Sequence, residues 1–173
     1  MSVPDISTEA TRISERLYLG SKRDAASWWF IKSKVSHVVN CADVSASGLE
    51  TMPAVKRAWT LNARDEVDYP LLRRHFATFV ECMASCERSD TVLVHCHEGR
   101  NRSAGLVAAF IMLVCKGRRA DDVVSWLRSK RGPGLLSNPG FVQELQSVNV
   151  ATLVDSDTLR SVCRDWRGEF ESA

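Results

Sequence analysis

Cys96 and Arg102 stand with five residues between them in the run His95-Cys96-His97-Glu98-Gly99-Arg100-Asn101-Arg102-Ser103, and a thiol and a guanidinium at that spacing could do phosphoryl chemistry. The apolar run Val92-Leu93-Val94 precedes them, and the Ala-rich stretch Ala104 to Val114 follows. That order reads as strand, tight loop, helix start. A loop closed between a strand end and a helix N-terminus aims successive backbone N–H groups at one spot. Such a nest binds anions, and the helix dipole reinforces it. The same field favours a thiolate over a thiol at Cys96. The planar fork of Arg102 can hold two phosphate oxygens at once. A nucleophile under a phosphate cradle implies phosphoryl transfer to cysteine.

In-line attack needs the equatorial phosphate oxygens held still, a task for the backbone of His97, Glu98, Gly99, Arg100 and Asn101 together with Arg102. The side chains of Glu98 and Asn101 are expected to matter less than their N–H groups, and His97 and Arg100 to lie at the rim. The leaving oxygen needs a proton, so a carboxylic acid must reach over the loop. Asp43, Asp65, Glu66 and Asp68 are the candidates. Asp68 has a second reading, because Asp68-Tyr69-Pro70 resembles a helix cap followed by proline in the first turn.

His-Cys-x-x-Gly-x-x-Arg-Ser resembles the signature loop of the cysteine-dependent protein tyrosine phosphatases, closest to their small, atypical dual-specificity branch. The resemblance runs from Leu17 to about Asn149, with weaker echoes at Leu17-Tyr18-Leu19-Gly20, His37-Val38-Val39-Asn40 and Asn138-Pro139-Gly140-Phe141. It implies a hydrolase acting on phosphotyrosine and phosphoserine/threonine of proteins through a phosphocysteine, with no cofactor and no metal. It implies that His95 orients the loop from behind, that Ser103 hydrogen-bonds the sulfur and eases its departure, and that Asn138 supports the site. In the family the acid lies in the loop ahead of the helix cap, which selects Asp65 over Asp68. Asn40-Cys41-Ala42-Asp43 is similar to the place where some relatives keep a resolving cysteine, so Cys41 is a candidate redox partner of Cys96; a small buried thiol is the other reading. Two departures stand out: Glu144 replaces a Gln frequent in the family, and Arg131-Gly132-Pro133-Gly134-Leu135 is longer than the usual Arg-Pro turn. Both are expected to touch packing behind the site.

The elements that must position these residues follow from the apolar pattern. Arg16 to Gly20, Val35 to Asn40, Ala58 to Leu61 and Thr91 to His95 read as short strands, the second and third as buried ones. Helical spacing covers Ser21 to Ser33, a stretch after Asp68 through Met83, Ala104 to Cys115, and Ala120 to Lys130. A further helix opens at Asn138-Pro139, again a cap followed by proline. Alternating strands and helices imply a single α/β domain with a mostly parallel sheet of four to five strands, helices on both faces, and the active loop at a strand's carboxyl end. Residues 1–12 are expected to be flexible, residues 13–152 to form the catalytic domain, and residues 153–173 to form a helical extension. Leu159, Val162, Cys163, Trp166 and Phe170 share one face of that extension, which is expected to dock on the domain, a partner contact being the lesser alternative.

The chain has 173 residues, enough for one domain with a real core. A net charge of +2 gives no reason to expect nucleic acid or a membrane as partner. The absence of a signal sequence, of a span-length apolar run and of an N-myristoylation pattern, with six scattered cysteines, suggests a reducing cytoplasmic setting with nuclear access, and a monomer without a membrane anchor. The short stretch before the loop is expected to leave no room for a kinase-docking domain. The alternatives to a phosphoprotein substrate are a phosphoinositide or phospholipid, suggested by Arg100; a 5′-triphosphorylated RNA, suggested by Asn101-Arg102; and a phosphate-binding module without catalysis.

Overall fold

Short runs of Val, Leu and aromatic residues pair into one five-stranded sheet. The computed structural model describes residues 5–170. Its strands are β1 (Thr11–Arg12), β2 (Leu17–Gly20), β3 (His37–Asn40), β4 (Arg57–Thr60) and β5 (Val92–His95). The order across the sheet is β1-β2-β5-β3-β4, antiparallel only at β1. Every residue of β3 and β5 is buried, as central parallel strands covered on both faces must be.

Side chains alternate between the two faces of such a sheet. Leu93 and Val38 meet Ala25, Ile31 and Val35 from the short helices α1 (Lys22–Ala25) and α2 (Trp28–Lys34). Val39, Val92 and Val94 face the larger core, built by α3 (Leu71–Ala84), α4 (Arg102–Val114), α5 (Ala120–Arg131), α6 (Pro139–Ser147) and α7 (Ser156–Trp166). Helices therefore cover both faces, and α4 is the buried central one. The register Gly20↔His95 and Asn40↔His95 lines up the carboxyl ends of β2, β5 and β3 along one edge, and the signature loop leaves from that edge.

Four expectations need correction. β4 is an edge strand, with Arg57, Ala58 and Thr60 exposed, rather than a buried one. The pattern from Ser21 to Ser33 is two helices, because Leu49 N–H takes the Ala25 carbonyl (2.9 Å) and Ser27 restarts the chain by accepting from Phe30 N–H. Trp28 and Trp29 of the second helix are 53% and 73% exposed. Asp68 caps nothing: it lies in a turn, Pro70 occupies the cap position, and α3 starts at Leu71. Residues 5–12 are tied down rather than loose, by Ser7 N–H to Arg131 O (2.6 Å), Ala10 N–H to Asp24 Oδ1 (2.9 Å) and the pairing of β1; residues 1–4 of that segment lie outside the described residues.

The extension after α6 lies across α3 and α4. Val162, Trp166 and Phe170 are buried, and the Trp166 indole N–H donates to Met83 O at 3.2 Å. Phe110 of α4 meets the Trp166 ring edge-on at 5.5 Å, and the Arg16 guanidinium covers that ring at 3.9 Å.

Candidate active site

The loop begins where β5 ends. Cys96 is buried at its base, and the Ser103 hydroxyl, on the first turn of α4, donates to Cys96 Sγ at 3.2 Å. Gly99 has φ +65°, and a Cβ there would lie 2.2 Å from the Gly20 carbonyl, so only glycine lets the loop turn this tightly against β2. The buried guanidinium of Arg131 clamps the turn. Its Nε donates to Gly99 O (2.8 Å), one terminal nitrogen to Glu98 O (3.3 Å), and the other to Glu9 O, Thr11 Oγ1 and Leu19 O (2.8, 3.0 and 3.2 Å). Holding those carbonyls outward leaves the loop's N–H groups free to face inward, as an anion nest needs.

Arg102 sits half-buried at the loop's end. One of its terminal nitrogens donates to Ala63 O at 3.2 Å, and its buried Nε has no hydrogen-bond partner among the described residues. A donor kept out of solvent in a phosphate loop suits an anionic oxygen, because an unsatisfied buried N–H is costly.

Asp65 arrives from the loop between β4 and α3. Its Oδ2 accepts from Asn101 Nδ2 at 3.1 Å and its Oδ1 from Asn138 Nδ2 at 2.8 Å. Asn101 Oδ1 in turn accepts from Asn138 N–H (3.0 Å) and Ser137 Oγ (3.3 Å). Asn138 also caps α6, its Oδ1 accepting from Gly140 and Phe141 N–H. Asn101 is thus more than a backbone donor: its side chain ties the carboxylate to the loop.

The rim residues are individually accounted for. His97 Nε2 faces Asp43 Oδ1 at 3.4 Å and Ser45 Oγ at 3.3 Å. Arg100 is paired with Asp5 (2.5 Å) and Glu98 (3.1 Å) and donates to Gly134 O. Asp43 pairs with Ser45 and His97, and its exposed carboxyl is held below the ordinary range first by the Ser45 hydroxyl.

His95 is fully buried beneath the loop, with Nδ1 3.3 Å from Cys96 O. Cys41 follows β3 as Cys96 follows β5, and Cys41 N–H donates to His95 O at 2.7 Å. Its thiol is buried, and desolvation, then the neighbouring Cys96, pushes it well above the ordinary thiol range. Among the described residues no group of three or more His, Cys, Asp or Glu could hold a metal ion.

Sequence reading missed Arg131, Glu50 and Asp5. Arg131 had a visible signal in the Gly-Pro-Gly that stops α5 after it, but an arginine at a helix C-terminus reads equally as a dipole partner. Asp5 and Glu50 carry no local signal.

Residues 17–150 match the model of the dual specificity phosphatase catalytic domain, and the chain belongs to that family. Dual specificity protein phosphatase 15 of mouse is 27% identical over 162 residues, which are 92% of this chain and 65% of that protein. Human dual specificity protein phosphatase 22 is 31% identical over 139 residues, 78% of this chain and 71% of that one. The crystal structure of DUSP15 superposes with a TM-score of 0.74 at 23% identity, covering 90% of this chain and 96% of that one, a likeness of fold. The chain spans just under two thirds of the length of the mouse and rat phosphatase 15 proteins.

Proposed function

We propose that this chain is a phosphatase that removes phosphate from phosphotyrosine and phosphoserine/threonine of proteins by way of a phosphocysteine. The observation that carries the reading is the convergence of two reactive groups on one loop: the Cys96 thiol over Ser103, and the Asp65 carboxyl held through Asn101. The Cys96 thiolate attacks phosphorus while the loop N–H groups and Arg102 hold the equatorial oxygens. Asp65, protonated, gives its proton to the departing alkoxide or phenolate. As a carboxylate it then takes a proton from the water that attacks the phosphocysteine, and the thiolate leaves with the Ser103 O–H bonded to sulfur. Asp65 regains its starting proton in the second step, so the cycle closes without a redox partner.

Family membership and the pairing of Arg100 support a protein over a lipid substrate. Asp5 and Glu98 neutralise the cation that would attract additional phosphates of an inositol headgroup. No helix among the described residues is long and apolar enough to cross a membrane. The six cysteines are unbridged, which fits work in a reducing cytoplasm.

A parallel panel on phosphopeptides, phosphoinositides and 5′-triphosphorylated RNA tests the substrate class, with phosphopeptides expected to turn over fastest. Cys96→Ser should abolish turnover and keep tungstate binding, because the cradle and Arg102 remain. Asp65→Asn should slow poor leaving groups roughly a hundredfold and activated aryl phosphates less. Appreciable turnover by Cys96→Ser would exclude the covalent route.

A further inference from the structure

Two buried polar atoms behind the loop face each other. His95 Nε2 and Glu50 Oε1 lie 3.8 Å apart, and neither has a hydrogen-bond partner among the described residues. That separation is too long for a direct hydrogen bond and short enough for an ion pair. His95 is wholly buried, and the Glu50 side chain is 16% exposed, on the segment between the short helix Val44–Ala46 and β4.

Hydrogen-bond logic fixes the protons. Nδ1 lies against the Cys96 carbonyl, which can only accept, so Nδ1 carries a hydrogen. Nε2 points at a carboxylate oxygen, and a bare lone pair there would set acceptor against acceptor. A second ring hydrogen removes that conflict and makes the ring a cation facing an anion. The other charged groups near this end of the sheet are engaged elsewhere. Asp24 of α1 accepts from Ser21 and Ala10 N–H, Asp43 faces Ser45 and His97, and Arg131 of α5 serves the loop carbonyls. The strand neighbours of His95, Gly20 and Asn40, are neutral.

We propose that Glu50 is a positioning residue that keeps His95 protonated beneath the phosphate loop, so that the ring's positive charge supports the Cys96 thiolate. Burial of Glu50 raises its carboxyl, but the facing His95 and the N–H groups of Gly48 and Glu50 outweigh it, and the carboxyl titrates below its ordinary value. Glu50 is therefore an anion at neutral pH. The charge acts at second hand: Glu50 touches neither substrate nor sulfur, and its effect reaches Cys96 through one ring.

The inference rests on Cys96 being the nucleophile, and the experiment reads the thiol itself, so a chain inactive on phosphate esters and an idle Glu50 are separate outcomes. Iodoacetate alkylation of Cys96 is followed against pH in wild type and Glu50→Gln. The amide can still donate to a neutral ring, so the substitution removes charge and keeps shape. The pH midpoint of alkylation should rise by about one unit, the scale set by loss of one nearby opposite charge, with alkylation below the midpoint about tenfold slower. An unchanged or lowered midpoint would overturn the proposal. A second reading needs no variant: ring nitrogen resonances of His95 in the wild-type protein should show both nitrogens protonated at neutral pH. A neutral ring there would overturn it equally.

Discussion

The side chain of Asn101 joins acid to cradle, since its amide nitrogen holds Asp65 and its oxygen is held by Asn138 and Ser137. A carboxylate on an exposed loop would otherwise sample many positions, and two amide donors restrict Asp65 to one, as the proposed acid role requires. Cys41 raises a different question at this scale. Adjacent parallel strands lie about 4.8 Å apart, and Cys41 and Cys96 each follow residues in register, so we propose that the two thiols can be bridged. Peroxide would oxidise the Cys96 thiolate to a sulfenic acid; the Cys41 thiol would then displace water from it to form a bridge. Peptide mapping after mild peroxide should find Cys41 joined to Cys96, with activity restored by thiol reductant. Cys41→Ser should keep its activity before peroxide and fail to recover afterwards. Recovery equal to wild type would reduce Cys41 to packing.

Helix α6 is the template for the acid-bearing loop. Asn138 at its start holds Asp65, and a Cβ on Gly140 would lie 1.7 Å from Val67 O, so glycine is what admits that loop against the helix. About one turn beyond Gly140, Glu144 Oε2 and Oε1 accept from Leu72 and Arg73 N–H at 3.0 and 3.1 Å. The cap that Asp68 was expected to give α3 thus comes from another helix, and with a carboxylate at the positive end of the dipole. The departure from the family's Gln acquires a meaning here, because a Gln side chain offers one acceptor oxygen where Glu144 offers two. Glu144→Gln should lower unfolding stability by about 1 kcal/mol in denaturant titration. It should also slow poor leaving groups more than aryl phosphates, as α3 and the Asp65 loop lose a shared anchor. Equal loss on both substrates would separate Glu144 from the acid.

Across the whole molecule, legibility followed sequence distance. The central strands, the buried α4 and the loop between them were readable because apolar runs, caps and a fixed spacing are local signals. The Asp65 contacts span 36 and 73 residues, the Glu144 cap 72, and the Arg131 bond to Gly99 32, and no local pattern encodes them. The edge position of β4 escaped for the same reason, since strand order is decided by which neighbours remain. The extension after α6 shows how far the core reaches: Trp166 fills the space between α3 and α4 under Arg16. Trp166→Ala should cost about 3–5 kcal/mol of stability by calorimetry or denaturant titration, from the cavity it leaves. A change under about 1 kcal/mol would mean that the extension only rests on the surface. Arg131 has a different sort of consequence, for how this chain can drift. Of its five acceptors, four are main-chain carbonyls, at Glu9, Leu19, Glu98 and Gly99, and only Thr11 contributes a side chain. A carbonyl is the same whatever residue bears it. Substitutions at Glu9, Leu19 and Glu98 are therefore invisible to the guanidinium, whereas at position 131 no other side chain reaches so many acceptors. The tolerance of one whole flank of the loop is underwritten by a single position that has none.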